Sequence, residues 1–368
     1  MDCNYFGKCG SCSLYQFNYE EQLSYKVEEA KELLSLKDAQ IIRSKPSHFR
    51  NRAEFRIWHE DNKIFYAMHS LQEKSLLKID SCQIVSEPIY HLMPKLIEFL
   101  KKSEILSHKL FTIEFLSSTT GNIMATLIYH KKIDETWLKE AKKIEDEFDI
   151  TVIGRSRGVK LILSCDYIDE TLTIFNKEFK FRLYESGFIQ PNLKVNEKMI
   201  EWVLDNLGLI KNDLLELYCG HGNFTIPLSS HFNKVLATEV SKASIKAASW
   251  HKELNRCENI SFARLSSQEF VQAYNKEREF RRLKDIDLDS FSFSHILVDP
   301  PRSGLDEMSL ELVKEFDNII YISCNPTTLK RDLEKLKSTH KIVASAFFDQ
   351  FAYTNHLESG LILQKKSL

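Results

Sequence analysis

The sequence has 368 residues, 43% hydrophobic and 28% charged, with 11 Gly, 8 Pro and a formal net charge of −2. That balance excludes fibrous and disordered classes, and the length allows two or three domains with a real core. No basic-then-apolar leader follows Met1 and no apolar run is long enough to span a bilayer, so a cytoplasmic protein is expected; the near-neutral sum does not by itself advertise a nucleic-acid partner.

In chain order, the first feature is CNYFGKCGSC, which sets Cys3, Cys9 and Cys12 at C-x5-C-x2-C spacing. Eight cysteines without an export signal imply a reducing compartment, where thiols act as ligands, nucleophiles or packing. Cys82 in DSCQIV offers a fourth thiolate, and four thiolates suit either zinc or an iron–sulfur cluster. Residues 14–36, LYQFNYEEQLSYKVEEAKELLSL, carry apolar positions at helical spacing and predict an amphipathic helix.

Between Ile41 and His59 stand Arg43, Lys45, Arg50, Arg52 and Arg56 against Glu54 alone, with Phe49, Phe55 and Trp58 interleaved. Basic groups beside aromatics suit phosphate contact and base stacking, although a solvated strand face has the same composition. From Arg50 to Leu183 the runs AEFRIWH, KIFYAMHS, FTIEFLSS, NIMATLIYH, VKLILS and LTIFNKEFKFRLY read as strands. Helices are expected near 87–102 and 134–147, giving a β-rich α+β unit. After GFIQPN (187–192) strands alternate with helices to the C-terminus, which predicts α/β architecture with a parallel, doubly wound, Rossmann-like sheet.

Within that alternation, ELYCGHGNF (216–224) falls at a strand-to-helix turn, where Gly220 and Gly222 let a ligand approach the backbone. The dinucleotide fingerprint is incomplete, because Thr225 stands at its third glycine. Glu239 ends the next strand, VLATEV, where an acid can accept from both ribose hydroxyls; a lone acid there is more often a helix cap. ILVDPPRSG (296–304) sets Asp299 at the carboxyl end of an apolar strand, with Pro300 and Pro301 stiffening the turn. Together these three features favour an S-adenosylmethionine methyltransferase over a nicotinamide enzyme. Arg302 stands where many N-methyltransferases carry an aromatic, which argues against a base amine as acceptor.

YISCNPTTL (321–329) brings Cys324 to the same sheet edge, ahead of a helix whose dipole is expected to lower the thiol pKa. A free cysteine is ordinarily buried filler. A methyltransferase needs a nucleophile only when the acceptor carbon is weak, as C5 of uracil is. Thiolate addition at C6 makes C5 carbanion-like, and a base must afterwards remove the C5 proton. Near the C-terminus FDQFAYTNHLESGLIL offers His356 and Glu358. Glu358 is the better candidate, because a partly desolvated glutamate titrates closer to neutrality; a surface charge at a strand entry would look the same.

In order, FIQPN, LLELYCGHGNF, VLATEV, ILVDPPRSGLD, YISCNP and HLESG resemble the RNA uracil-5-methyltransferases. RNRAEFRIWH, HKLF, LIYHKK and REFRRLKDIDL look like the tRNA branch, which makes ribothymidine at position 54 of the T loop, and the resemblance covers residues 40–368. It implies Cys324 as nucleophile and Glu358 as proton acceptor. It implies Gln190, Tyr218, Asn223, Glu239 and Asp299 around S-adenosylmethionine, and Arg56 and Phe111 holding and stacking T-loop nucleotides, with the target uridine turned out of its stack. Gln268 departs from the pattern, in which an acid is common and bears on the adenine. The cysteine triplet with Cys82 resembles instead the [4Fe–4S] site of the 23S ribosomal-RNA branch. A structural cluster on Cys3, Cys9, Cys12 and Cys82 is therefore expected, with Cys165, Cys219 and Cys257 left to packing.

The expected organisation is residues 1–45 for the cysteine segment and first helix, 46–185 for a β-rich RNA-binding domain and 186–368 for the methyltransferase domain. The expected partner is the T arm of tRNA, extending to the T-loop-like element of tmRNA, for a monomer with no membrane or protein partner. The alternatives are the same chemistry on 23S ribosomal RNA and, from another class, an RNA-binding or RNA-folding protein that needs no turnover. The Cys324–Glu358 pair speaks against the second.

Overall fold

The computed structural model describes residues 1–367 except 62, 74 and 209–211. Helix α1 (Tyr19–Leu34) starts at a reciprocal cap: Asn18 Oδ1 accepts from the Glu21 N–H at 3.0 Å, and Glu21 accepts from the Asn18 N–H at 2.9 Å. Its apolar side, Leu23, Val27, Ala30 and Leu34, is buried. Strand β1 (Gln40–Ile42) follows.

The first sheet has seven strands in the order β4-β3-β2-β5-β6-β7-β8. These are β2 (Arg52–Glu60), β3 (Lys63–His69), β4 (Leu76–Ile79), β5 (Leu110–Ser117), β6 (Ile123–Tyr129), β7 (Thr151–Ser156) and β8 (Val159–Ile162), with helices α2 (Glu87–Lys101), α3 (Glu104–Ser107) and α4 (Glu135–Phe148) between them. All neighbours are antiparallel except β6 and β7. Strand β2 alternates as a half-buried strand must: Phe55 and Ile57 turn inward, Arg56 and Trp58 outward. At Gly154 a Cβ would clash with the Trp137 ring of α4, so glycine is what lets that helix close on the sheet.

The run LTIFNKEFKFRLY is a hairpin rather than one strand, β9 (Tyr167–Ile174) and β10 (Lys177–Tyr184). Phe175 (φ 45°) and Asn176 (φ 64°) are both left-handed and form its two-residue turn. No glycine marks the turn, which is why the sequence reads through it.

Beyond the hairpin come α5 (Leu193–Asp205), β11 (Asp213–Leu217), α6 (Thr225–Leu228), β12 (Val235–Thr238), α7 (Lys242–Leu254), β13 (Ile260–Ala263), α8 (Ser267–Tyr274), β14 (Phe293–Val298), α9 (Glu307–Val313), β15 (Asn318–Ser323), α10 (Pro326–Leu336), β16 (His340–Phe348) and β17 (Glu358–Lys365). They form an eight-stranded sheet, β1-β16-β17-β15-β14-β11-β12-β13. Leu214, Leu215 and Leu217 are fully buried, as expected for a strand covered on both faces. The expected parallel sheet is mixed: β17 runs antiparallel between β15 and β16. Strand β1 pairs in parallel with β16, Gln40 opposite Ala346, and α1 packs on α10. Residues 1–45 therefore divide. The helix and β1 join the eight-stranded sheet, while Cys9 bridges to Ser70 at the end of β3. Among the described residues no helix is long and apolar enough to cross a membrane.

Candidate active site

Strand β12 lies on one side of β11 and β14 on the other, so the winding reverses there, and open α/β sheets hold ligands at such a point. In the turn after β11, Tyr218 (φ 62°), Gly220 (φ 54°) and Gly222 (φ 87°) are left-handed. A Cβ on Gly220 would project into open space, so the glycine leaves room beside the backbone. Glu239, past the end of β12, accepts from the Gly220 N–H (3.2 Å) and the Ser241 N–H (2.8 Å), tying the turn to the start of α7. Asn223 and Asn196 exchange amide hydrogen bonds of 2.9 and 2.8 Å, and the Tyr218 hydroxyl donates to Ser267 Oγ at 2.9 Å. Gln190 is buried just before α5, whereas Gln268 is exposed.

Asp299, Cys324 and Glu358 come from three adjacent strand ends, those of β14, β15 and β17. Ser323 pairs with Ser359 as the last rung of that ladder, and Cys324 and Glu358 are the next residues outward on the two chains. Glu358 is buried and Cys324 half-buried. Burial, reinforced by Asp299 and opposed by Arg302, pushes the Glu358 carboxyl up to about 8. Burial also lifts Asp299, to about 7. For Cys324, burial and then the charges of Glu358 and Asp299 outweigh Arg302 and raise the thiol to about 11. Burial thus outweighs the lowering expected from the helix N-terminus and favours the thiol form. The Arg302 carbonyl accepts from Asn325 Nδ2 (2.9 Å) and Thr328 Oγ1 (3.2 Å), which locks the Asp-Pro-Pro loop to the segment carrying Cys324. His356 is exposed at the rim of a pocket lined by Cys324, Arg302 and Lys26.

Sequence reasoning missed Glu216. It is buried in β11, and one carboxyl oxygen has no hydrogen-bond partner among the described residues. Burial and then Asp299, against a contact from Thr225, raise it to about 8. The signal was an acid in the middle of LLELY, an otherwise apolar strand leading into the glycine turn. An orphaned carboxyl, open space at Gly220 and a second acid at one sheet edge fit a cationic, ribose-bearing ligand such as S-adenosylmethionine.

The basic run of the first sheet divides by role. Arg50 Nε donates to the Arg52 carbonyl at 2.8 Å, and Arg52 donates to the carbonyls of Gly187 (2.6 Å) and Glu185 (2.8 Å), fastening the segment ahead of Gln190. Arg56 faces outward, its guanidinium 5.2 Å from the Phe111 ring centre. Phe111 lies at a register shift in β5 and stacks on His130 at 3.9 Å between ring centres. His130 was not anticipated; LIYHKK marks it only once the partner ring is known.

Cys3, Cys9, Cys12 and Cys82 line one small cavity. Among the described residues no group of three or more His, Cys, Asp or Glu side chains is arranged to hold a metal ion. The sulfurs therefore converge without reaching ligand geometry. Burial, then the neighbouring Cys82, Cys9 and Cys3, pushes the Cys12 thiol up. Cys165, Cys219 and Cys257 are free thiols; Cys219 is buried, and Cys257 packs against the core.

Residues 18–366 match the family described as tRNA (uracil-5-)-methyltransferase. A tRNA/tmRNA (uracil-C(5))-methyltransferase of Aliarcobacter butzleri is 56% identical over 99% of this chain and 99% of its own length. One from Nitratiruptor sp. is 54% identical over 99% and 100%. Among solved structures, the Pyrococcus abyssi tRNA (uracil-54, C5)-methyltransferase in complex with S-adenosyl-L-homocysteine superposes with TM-score 0.73 at 21% identity, covering 96% of this chain and 86% of that one. That likeness shows a shared fold.

Proposed function

The chain belongs to the tRNA (uracil-5-)-methyltransferase family, and from that premise we propose that it methylates C5 of uridine 54 in the T loop through a transient bond between Cys324 and C6 of the base. It is an S-adenosylmethionine-dependent methyltransferase acting on uracil in RNA. S-adenosylmethionine supplies an electrophilic methyl group when bound. Glu239 would accept from its ribose, and Gln190, Tyr218, Asn223 and Asp299 would hold the remainder. The observation that carries the covalent route is Cys324 and Glu358 flanking the last rung of one ladder, close enough for the carboxyl charge to act on the thiol, with the buried carboxyl poised near neutrality.

Cys324 loses its proton to solvent, the thiolate favoured by Arg302, and its sulfur bonds to C6 as the ring electrons move toward O4. C5 takes the methyl group as the bond from that methyl to the donor sulfur breaks, the electron pair leaving with the sulfur as a neutral thioether. The ionised Glu358 removes the C5 proton, the S–C6 bond breaks and the ring double bond returns. Arg56, Phe111 and His130 present a cation and an aromatic stack suited to phosphate and to an unstacked base. The protein acts as a cytoplasmic monomer on the T arm of tRNA and on the matching element of tmRNA; relatives bear the name tRNA/tmRNA methyltransferase. A structural [4Fe–4S] cluster is proposed at the cavity that Cys3, Cys9, Cys12 and Cys82 line, supported by their shared lining alone. Iron and sulfide assays after anaerobic reconstitution test that point, with cluster retention lost in Cys12→Ser.

The decisive experiment gives the protein S-adenosylmethionine with unmodified T-arm RNA or a 23S ribosomal-RNA fragment. Nucleoside mass spectrometry should find 5-methyluridine at position 54 of the T arm alone. T-arm RNA with 5-fluorouridine there should trap the enzyme in a denaturant-resistant complex. Product on the ribosomal fragment alone would move the substrate to the sister branch, and absence of any trapped complex would end the covalent route.

A further inference from the structure

Helix α1 carries a polar side that the methylation chemistry does not use. Gln22 and Lys26, one turn apart, are buried, and Asp349 opposite them is fully buried. The Lys26 ammonium donates to Asp349 Oδ1 (2.5 Å), to the Phe351 carbonyl (3.2 Å) and to the His356 carbonyl (3.2 Å). Gln22 Nε2 donates to Asp349 Oδ2 at 3.2 Å, and Gln22 Oε1 accepts from the Tyr353 N–H at 3.0 Å. An ammonium has three donors. All three are spent on residues 349–356, the segment between β16 and β17, and the last lies two residues before Glu358.

A surface helix that only needed to pack would place an apolar residue here, because taking an ammonium out of water is costly. Burial pulls Lys26 below its usual value while Asp349 holds it up, so the charge is kept by its partner. The same side chain borders the pocket that contains Cys324 and Arg302. We propose that Lys26 is a positioning residue: its ammonium fixes the backbone that delivers Glu358, and so governs removal of the C5 proton after methyl transfer. The inference rests on the covalent route proposed above.

The test compares Lys26→Met and the double variant Lys26→Met/Asp349→Leu, which leaves neither charge buried alone, with wild type and Glu358→Gln. Displacing a reacting group by about an ångström can cost about 100-fold in rate. The double variant, folded by circular dichroism, should lose roughly that factor in kcat with KM for tRNA and for S-adenosylmethionine within about twofold. Methylated enzyme–RNA complex should accumulate in it, as in Glu358→Gln. A purely structural role would lower Tm without trapping RNA. Wild-type kcat in the double variant, or a fall without trapped complex while Glu358→Gln does trap it, overturns the positioning role and leaves the covalent route intact. If Glu358→Gln also traps nothing, the route itself fails and the inference with it.

Discussion

In the first sheet and its hairpin, buried glutamates are met by donors. Glu145 accepts from the Val152 N–H (3.0 Å) and the Ser164 hydroxyl (2.9 Å), and Glu170 from the backbone (2.7 Å) and hydroxyl (2.5 Å) of Thr119. Burial alone would raise Glu185, but Arg155 and Lys160 overcome it and hold the carboxyl below its ordinary value. Glu170 is still raised, because burial outweighs its donors. At the carboxyl edge of the second sheet burial leads at Glu216, Asp299 and Glu358 alike, and these three titrate near neutrality. A carboxyl that only holds strands together is best saturated with partners. One that must take a proton, or await a cationic ligand, is left short of them.

The contrast breaks most visibly if Glu358 behaves like Glu185. Glu358→Gln should cut turnover by about 10²–10⁴-fold with Tm unchanged or higher, measured by methyl incorporation and calorimetry. Glu185→Gln should instead lower stability by about 1–3 kcal/mol, with kcat per folded molecule preserved. Wild-type methylation should also rise from pH 6 towards pH 8, because the base must be ionised and Glu358 titrates at about 8. The first sheet's own contribution should appear in binding: Phe111→Ala should weaken T-arm RNA by about 1–3 kcal/mol, read by fluorescence titration, with kcat at saturating RNA kept.

A pH-dependent effect sharpens the comparison at Glu216. Its folded value lies above the unfolded one, 4.5 rising to about 8, so the neutral form favours the fold. The stability it contributes is complete below about pH 4.5 and is lost as pH rises through about 8. In cofactor-free protein, Glu216→Gln should match wild type at pH 5 and exceed it by roughly 3 kcal/mol at pH 8 in denaturant titrations. A parallel pH response in both proteins would show that Glu216 is no more strained than Glu170.

The alternating second half was legible in the sequence because four of its strands are apolar runs ending in chemistry: Tyr218, Glu239, Asp299 and Cys324 all follow such runs. Strand β16 was not, since HKIVASAFF mixes polar residues through a strand next to the sheet's edge. Arg50 and Arg52 looked like RNA contacts because composition cannot say which way a guanidinium turns, and both turn onto backbone carbonyls. The identity of the nucleophile could be read from YISCNP. Its protonation state could not, because that depends first on burial and then on two carboxyls from other strands.

Strand β1 is three residues long, yet it caps the outermost rung of the catalytic sheet by pairing with β16, which is added to the chain almost last. During synthesis that rim stays bare until nearly the whole polypeptide is available, so closure is a late, long-range event. The two halves are accordingly laced together at their far extremities. A fragment beginning at residue 46 should emerge with a sticky margin, prone to self-association, and supplying residues 1–45 as a separate peptide should restore its solubility.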